Sequence, residues 1–237
     1  MQELDFALDG VWASTKGITL CRPVSFSAAV TKTQAINIPG RNGALHIDEG
    51  AYSVRSGTVD CFALASSDVT GSMATIMSWL FGTEGYRKLE VSDDLNHYWQ
   101  ARIVNGGQIA TRLAMLNPFS IEWECKPFRV VNGADTPIVV TALTELSNPT
   151  GFNAYPLLYV TASGEGTISN SNGSITILNQ GTFVIDCEDM RCVTSSGDPA
   201  DYMISSDAFP YLPPGTSGFT ITGSITELKV APRYHTL

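Results

Sequence analysis

Phe119-Ser120-Ile121-Glu122-Trp123-Glu124-Cys125-Lys126 places an apolar side chain at every odd position and a polar one at every even position. Successive side chains of a strand point to opposite faces, so this stretch predicts a strand with one buried and one wet face. Trp99, Ala101 and Ile103 alternate with Gln100 and Arg102 in the same way, and Val59, Cys61 and Ala63 form a weaker set. Asn105-Gly106 predicts a hairpin turn into a strand at Gln108–Leu116. One segment breaks the pattern: Met73, Ile76, Met77 and Leu80 fall at i, i+3, i+4 and i+7, an apolar helix stripe. Ser72 or Thr70 is placed to cap its start and Gly82 to end it. The class read from these periods is all-β with one short helix.

Upstream, Pro39-Gly40-Arg41-Asn42-Gly43 predicts a hairpin tip. Asn-Gly is the strongest short signal for a two-residue type I′ turn, because both central residues need φ > 0. Pro39 cannot donate to a ladder and belongs at a strand end. Asp48 and Glu49 follow by one short strand and begin a further turn with Gly50, which places them at a loop.

The chain has 237 residues, of which 16% are charged and 43% hydrophobic, a globular balance with length for one large β domain or two ordinary ones. All four tryptophans precede residue 130. Asn132-Gly133-Ala134-Asp135-Thr136-Pro137 then reads as a linker turn, dividing the chain into domains 1–131 and 132–237. Asn148-Pro149-Thr150-Gly151 is a second break. Beyond it short strands are predicted at Leu157–Ala162, Thr167–Ile168, Ser174–Leu178, Thr182–Cys187 and Phe219–Val230, with a turn at Asn172-Gly173. Gly223 marks a bulge or close approach in the last of them. Short strands with Gly and Asn turns indicate a second β-sandwich.

Net charge is −9, and the acidity is spread, with 8 acidic and 3 basic residues from 150 onward and 15 against 11 before. A nucleic-acid groove needs a basic stripe, so a binder of DNA is disfavoured; an acidic surface suits a conduit instead. Five cysteines, at 21, 61, 125, 187 and 192, cannot all pair within one chain. Acidic residues stand where a secretory n-region would be basic, so folding in a reducing cytoplasm with free thiols is expected. Cys187 and Cys192 lack a second pair or a nearby histidine, so buried strand cysteines are favoured over a metal site. No apolar run has the length of a membrane span.

The residues assemble no catalytic constellation. His46, His97 and His235 are the only histidines, and His97 sits in Asp93-Asp94-Leu95-Asn96-His97, read as a solvated turn entering a strand. Walker, nucleophile-elbow and His-Glu-x-x-His patterns are absent. Asp93/Asp94 and Glu188/Asp189 are adjacent pairs, which in strands point to opposite faces. No enzyme, no cofactor and no metal are expected.

After Pro39–Gly43 come Ser78-Trp79-Leu80-Phe81-Gly82, Tyr98-Trp99-Gln100-Ala101-Arg102 and Phe119–Phe128. This order resembles the distal tail protein (Dit) family of long-tailed, non-contractile phages, over about residues 1–130. The resemblance implies an amino-terminal tail-tube-like β-sandwich with a long hairpin, here Ile36–Phe62, and a flanking helix, here Ser72–Phe81. It implies a galectin-like β-sandwich after it. It further implies a structural virion protein at the distal end of the tail: a homo-oligomer, six copies in a ring. That ring would sit between the tail tube protein and the baseplate or tail tip with its tail-associated fibre or lysin protein. DNA would pass through without specific binding, and no membrane is involved.

In that reading Arg41, with Pro39, Gly40, Asn42 and Gly43, is a candidate for the inter-subunit contact, since an arginine bonds a carboxylate or carbonyls bidentately. A solvated turn arginine is the competing reading. Asp48 and Glu49 are candidates for the channel wall, against ordinary solvated turn residues. Family members that carry receptor-binding proteins do so on a long arm, for which the residues after Thr150 leave no room. The rival function is a carbohydrate-binding module on the tail tip. Residues 132–237 contain no tryptophan, His235 alone, and only Arg191 and Arg233, so galactoside chemistry is missing. Tyr155, Tyr159, Tyr202 and Tyr211 remain for stacking on a different glycan.

Overall fold

A computed structural model describes residues 4–63, 69–106 (backbone alone for 69–73), 118–141 and 144–237. The chain divides into two compact units, Met1–Arg129 with Leu237, and Val130–Thr236. Both are built of strands, and the all-β class is observed, with one α-helix among the described residues.

In the first unit the strands are β1 (Phe6–Leu8), β2 (Val11–Trp12), β3 (Ile18–Leu20), β4 (Ser25–Phe26), β5 (Thr31–Asn37), β6 (Ala44–Tyr52) and β7 (Arg55–Ala63). Helix α1 (Val69–Phe81) follows, then β8 (Arg87–Val91), β9 (Asp94–Ile103) and β10 (Phe119–Val131). The main sheet runs β2-β1-β8-β9-β10-β7-β3, with β4 also on β7. In β10, Phe119, Ile121, Trp123 and Cys125 are buried, as the alternation requires, and pair with β7 from Phe119↔Cys61 to Cys125↔Arg55. Ile76 and Leu80 of α1 pack into this core with Met77 against it. Phe6 stacks on Trp79 and meets Trp123 edge-on at 5.3 Å, an aromatic centre between helix and sheet.

The helix begins at Val69, so Thr70 and Ser72 lie within it rather than capping it. Gly82 ends it, its N–H donating to Ser78 O. Arg87 donates to Trp79 O and Leu80 O, placing a cation on the carbonyl end of the helix, and holds Asp9 at 2.6 Å. Asn105 makes no type I′ turn with Gly106, which keeps φ out of the left-handed region. Its carboxamide instead bridges β10, donating to Ser120 O and accepting from Glu122 N–H. The expected strand Gln108–Leu116 lies outside the described residues.

The second unit holds β11 (Ile138–Val139), β12 (Glu145–Asn148), β13 (Leu157–Asn170), β14 (Gly173–Ile177), β15 (Gly181–Asp186) and β16 (Arg191–Thr194). It continues with β17 (Ile204–Ala208), β18 (Gly215–Gly218), β19 (Thr220–Ala231) and β20 (His235–Thr236). One sheet runs β11-β19-β13-β14-β17, with β15 on β13 and β16 on β15; β12 and β18 form a separate pair. The segments expected at Leu157–Ala162 and Thr167–Ile168 are one long strand, and it pairs β19 on one side. Between Ala162↔Ile225 and Gly166↔Gly223, β13 advances four residues and β19 two, a bulge. Gly223 sits there at φ +73, and a Cβ on it would lie 2.6 Å from Glu165 O, so the expected close approach is present.

The β13–β14 turn is centred on Ser171-Asn172, one residue before the expected Asn172-Gly173. Asn170 accounts for the shift: its Oδ1 accepts Asn172 N–H while its Nδ2 donates to Tyr211 O. Ile168, Ile175, Ile177, Phe183, Ile185 and Phe219 form the core with Cys187 and Cys192. Asn148, the one polar residue buried among those described, is fully used, donating to Phe152 O and Leu212 O and accepting from Thr150.

All five thiols are free, Cys21 exposed and the other four buried. Burial pushes the Cys61, Cys125 and Cys187 thiols up to about 12 and Cys192 to about 11.

Candidate functional site

Pro39–Gly43 lies at the tip of the β5–β6 ribbon, a two-stranded sheet of its own. The turn differs from the type I′ expectation. Arg41 N–H donates to Ile38 O at 3.1 Å, and Gly40 stands at φ +81 with Pro39 before it. That is the signature of a type II turn on Pro39-Gly40, with Pro at its second position and Gly at its third. Asn42 does not take positive φ, and the whole connection from Asn37 to Ala44 spans six residues. The proline presets the turn one step before the Asn-Gly signal acts. The Arg41 side chain is exposed, and its guanidinium has no bonded partner among the described residues.

Asp48 and Glu49 are not in a loop: both belong to β6. Asp48 pairs with Thr33, and between that pair and Thr31↔Tyr52 β5 advances two residues while β6 advances four. The two extra residues make a bulge, fastened by Gly50 N–H donating to Asp48 Oδ1 at 2.9 Å. Sequence reading saw the Asp-Glu-Gly turn chemistry correctly and assigned it to a loop, because a bulge uses the same residues.

Opposed pairs share a face, so Ile36/Leu45 and Gln34/Ile47 lie on one side of the ribbon and Ala35/His46 and Thr33/Asp48 on the other. Every residue of β5 is exposed, and Ile36, Ile38, Leu45 and Ile47 keep 37%, 41%, 39% and 45% of their surface in solvent. A monomer seldom strands four aliphatic side chains on one open ribbon. This patch was missed in the sequence reading; its signal was there, in aliphatic alternation on both arms of the hairpin.

Arg55, where β7 begins, stacks at 4.7 Å over Trp99, donating from Nε to Ser27 O at 2.7 Å and from Nη1 to Pro127 O. Phe26 covers the same indole, its ring 4.5 Å away. Arg129 also approaches Trp99, and bonds Asp94 at 2.9 Å and Leu237 O at 3.0 Å. His97, expected as a solvated turn histidine, is a half-buried residue of β9 with Nδ1 3.0 Å from Asp94 Oδ1. Burial opposes the ionised Asp94 carboxyl, but the His97 hydrogen bond and the His97 and Arg129 charges outweigh it and hold its pKa below the usual range.

A cleft of about 250 Å³ is lined by Leu8, Phe81, Arg87, Arg102, Ile103 and Trp123 among others. Its cations are engaged, Arg87 with Asp9 and Arg102 bidentately with Glu124. Among the described residues no group of three His, Cys, Asp or Glu is placed to hold a metal ion. No helix described is long and apolar enough to cross a membrane. Of the tyrosines considered for glycan stacking, Tyr155 and Tyr211 are neighbours at 5.9 Å, and Tyr202 is 74% exposed. Arg233 is occupied by Asp186, two bonds of 2.9 Å.

No family model and no curated protein matches the sequence. Among solved structures the chain is similar to the crystal structure of the SPP1 Dit (gp 19.1) protein, described as a paradigm of hub adsorption apparatus in Gram-positive infecting phages. The two share 16% sequence identity, and the superposition covers 100% of each chain at a TM-score of 0.65. At this identity the shared property is the fold, over its full length.

Proposed function

We propose that this chain is a structural subunit of a phage tail, a distal tail protein that forms the hub ring between tail tube and tail tip. The observation that carries this is end-to-end likeness of fold to the SPP1 Dit protein. A domain recurs in many functions, but a two-unit architecture matched over 100% of both chains narrows the field far more than either unit alone. In this reading residues 1–131 form the ring and residues 132–237 a galectin-like domain. Six copies surround the channel, with the tube protein on one face and the fibre or lysin protein on the other.

The β5–β6 ribbon supports assembly. An isolated two-stranded ribbon is marginal in water, and its aliphatic face has to be covered to be held. A ring closes through a heterologous contact, one patch on a different patch of the next copy, and a projecting ribbon is suited to that. Arg41 at the tip then meets carbonyls or a carboxylate of the neighbour. Asp48 lies on the opposite, polar face, which would be left to the opening, where an acidic wall repels duplex phosphates and lets DNA pass unbound.

Light scattering after size exclusion, with negative-stain imaging, tests the reading. A ring-sized particle, alone or on mixing with tube protein, is expected; a chain that stays monomeric in both conditions with hydrolase activity would sink it. For the channel wall, Asp48→Lys with Glu49→Lys should leave folding intact and arrest DNA ejection in assembled phage. Normal ejection by that phage removes these two residues from the channel.

A further inference from the structure

The arginines among the described residues divide sharply by partner. Arg87 holds Asp9, Arg102 holds Glu124, Arg129 holds Asp94 and Arg233 holds Asp186, each at 2.9 Å or less. Arg22, Arg41 and Arg191 are exposed and need no counter-charge. Arg55 is the exception among the described residues: half-buried, and bonded to two backbone carbonyls with no carboxylate in reach. The charge that acts on it most strongly is that of another cation, Arg129. Burial first, and the Arg129 charge second, pull its pKa below the usual value, the mark of a guanidinium that is not compensated. Asp94 is committed between His97 and Arg129 and does not serve both arginines.

A partly buried guanidinium without a counter-ion is disfavoured, and a carboxylate docking in good geometry offsets part of that cost. Arg55 is also rigid, pinned between Ser27 O, Pro127 O and the Trp99 face, so little entropy is lost when an acceptor docks on its remaining nitrogen. Its place is the foot of the ribbon, three residues beyond the end of β6. We infer that Arg55, on its Trp99 shelf, is the receiving half of an intersubunit ion pair, and that its occupant is an Asp or Glu side chain of a second copy of this chain. Charge favours this occupant: a copy carries net −9, so a lone uncompensated cation is where one acidic copy attracts another. The inference rests on the ring reading above and adds the contact that fixes register.

The test measures self-association of the full chain by sedimentation across a salt series, with near-ultraviolet circular dichroism as the check of folding. Arg55→Gln keeps a donor at the Nε position for Ser27 O, gives up the Nη1 bond to Pro127 O and removes the charge. It should weaken association at least tenfold and flatten its salt dependence, while Arg55→Lys retains the salt dependence with intermediate affinity. A neutralising scan of exposed Asp and Glu in the wild-type background should find one residue whose loss matches that of Arg55→Gln and does not add to it. Running the same cycle against Arg55→Lys decides the matter even where Arg55→Gln folds poorly. If rings form as well with Arg55→Gln, or no acidic residue couples to Arg55, the ion pair is wrong and the ring stands. If added inorganic phosphate replaces the effect, a small anion is the occupant and the inference falls. A wild type that never associates overturns ring and ion pair together.

Discussion

β13 and β14 carry Ile168, Ile175 and Ile177 at 0% exposure, whereas β5 and β6 leave Ile36, Leu45 and Ile47 at 37%, 39% and 45%. Both are antiparallel ribbons with aliphatic alternation and an Asn-containing turn. The difference is what lies beside them. β13 has β19 and β15 as further partners and β14 has β17, so a layered core closes over their side chains. β5 and β6 have only each other. The same local code therefore yields a folding element in one place and an adhesive surface in the other. Burial is decided by third strands, which no local window contains.

The sharpest break between the two ribbons comes from charge. Ile168→Asp puts a carboxylate into a closed core and should unfold the second unit, a loss above about 4 kcal/mol. Ile36→Asp with Ile47→Asp should move the denaturation midpoint by no more than about 0.5 kcal/mol, and abolish self-association instead. Equal loss of stability from both would mean that the β5–β6 face is packed in the monomer.

Glycines give a smaller contrast. Gly223→Ala meets both a left-handed φ of +73 and the Glu165 carbonyl, and should cost about 3 kcal/mol in a urea titration. Gly40→Ala has the same kind of backbone at φ +81 with open space around it, so about 1 kcal/mol is expected. That loss should appear as faster amide exchange at Arg41, with the global midpoint unmoved.

Part of this was open to reading in the residues. Strand β10 follows from Phe119–Lys126, and the helix from Met73–Leu80, because both patterns repeat within one element. The Asn-Gly turn at Asn42-Gly43 failed for a local reason: Pro39-Gly40 competes for the same tip and presets φ. His97 failed for a distant one, since Arg129, which shares Asp94 with it, stands 35 residues from that aspartate in sequence. Arg55 carried no pattern at all; its interest lies in what its neighbours lack.

The mildest effect is acid. Asp94 and Asp186 both titrate below their usual range; burial works against them, but hydrogen bonds and charges from His97 and Arg129, and from Arg233, prevail. A carboxyl with a depressed folded pKa stabilises fully above its unfolded value, near about 4, and loses that contribution as pH falls through the folded value. Urea midpoints of both packed units should hold from neutral pH to about pH 4 and drop below it. A midpoint that rises on acidification would contradict the two ion pairs.

Trp12, Trp79, Trp99 and Trp123 all belong to the first unit, and the second has none. Indole emission is therefore a selective reporter within an otherwise tyrosine-lit chain. The Trp79 and Trp123 Nε1 donors are enclosed without an acceptor, so these two rings sit in an apolar, unrelaxed environment and should emit at the blue end. The red shift of the indole emission on heating tracks the loss of packing in the first unit, the Phe6–Trp79–Trp123 centre included. Far-ultraviolet ellipticity records the strands of both units. Two melting curves that fail to superimpose would thus measure, without any label, how far the halves of this molecule unfold as one.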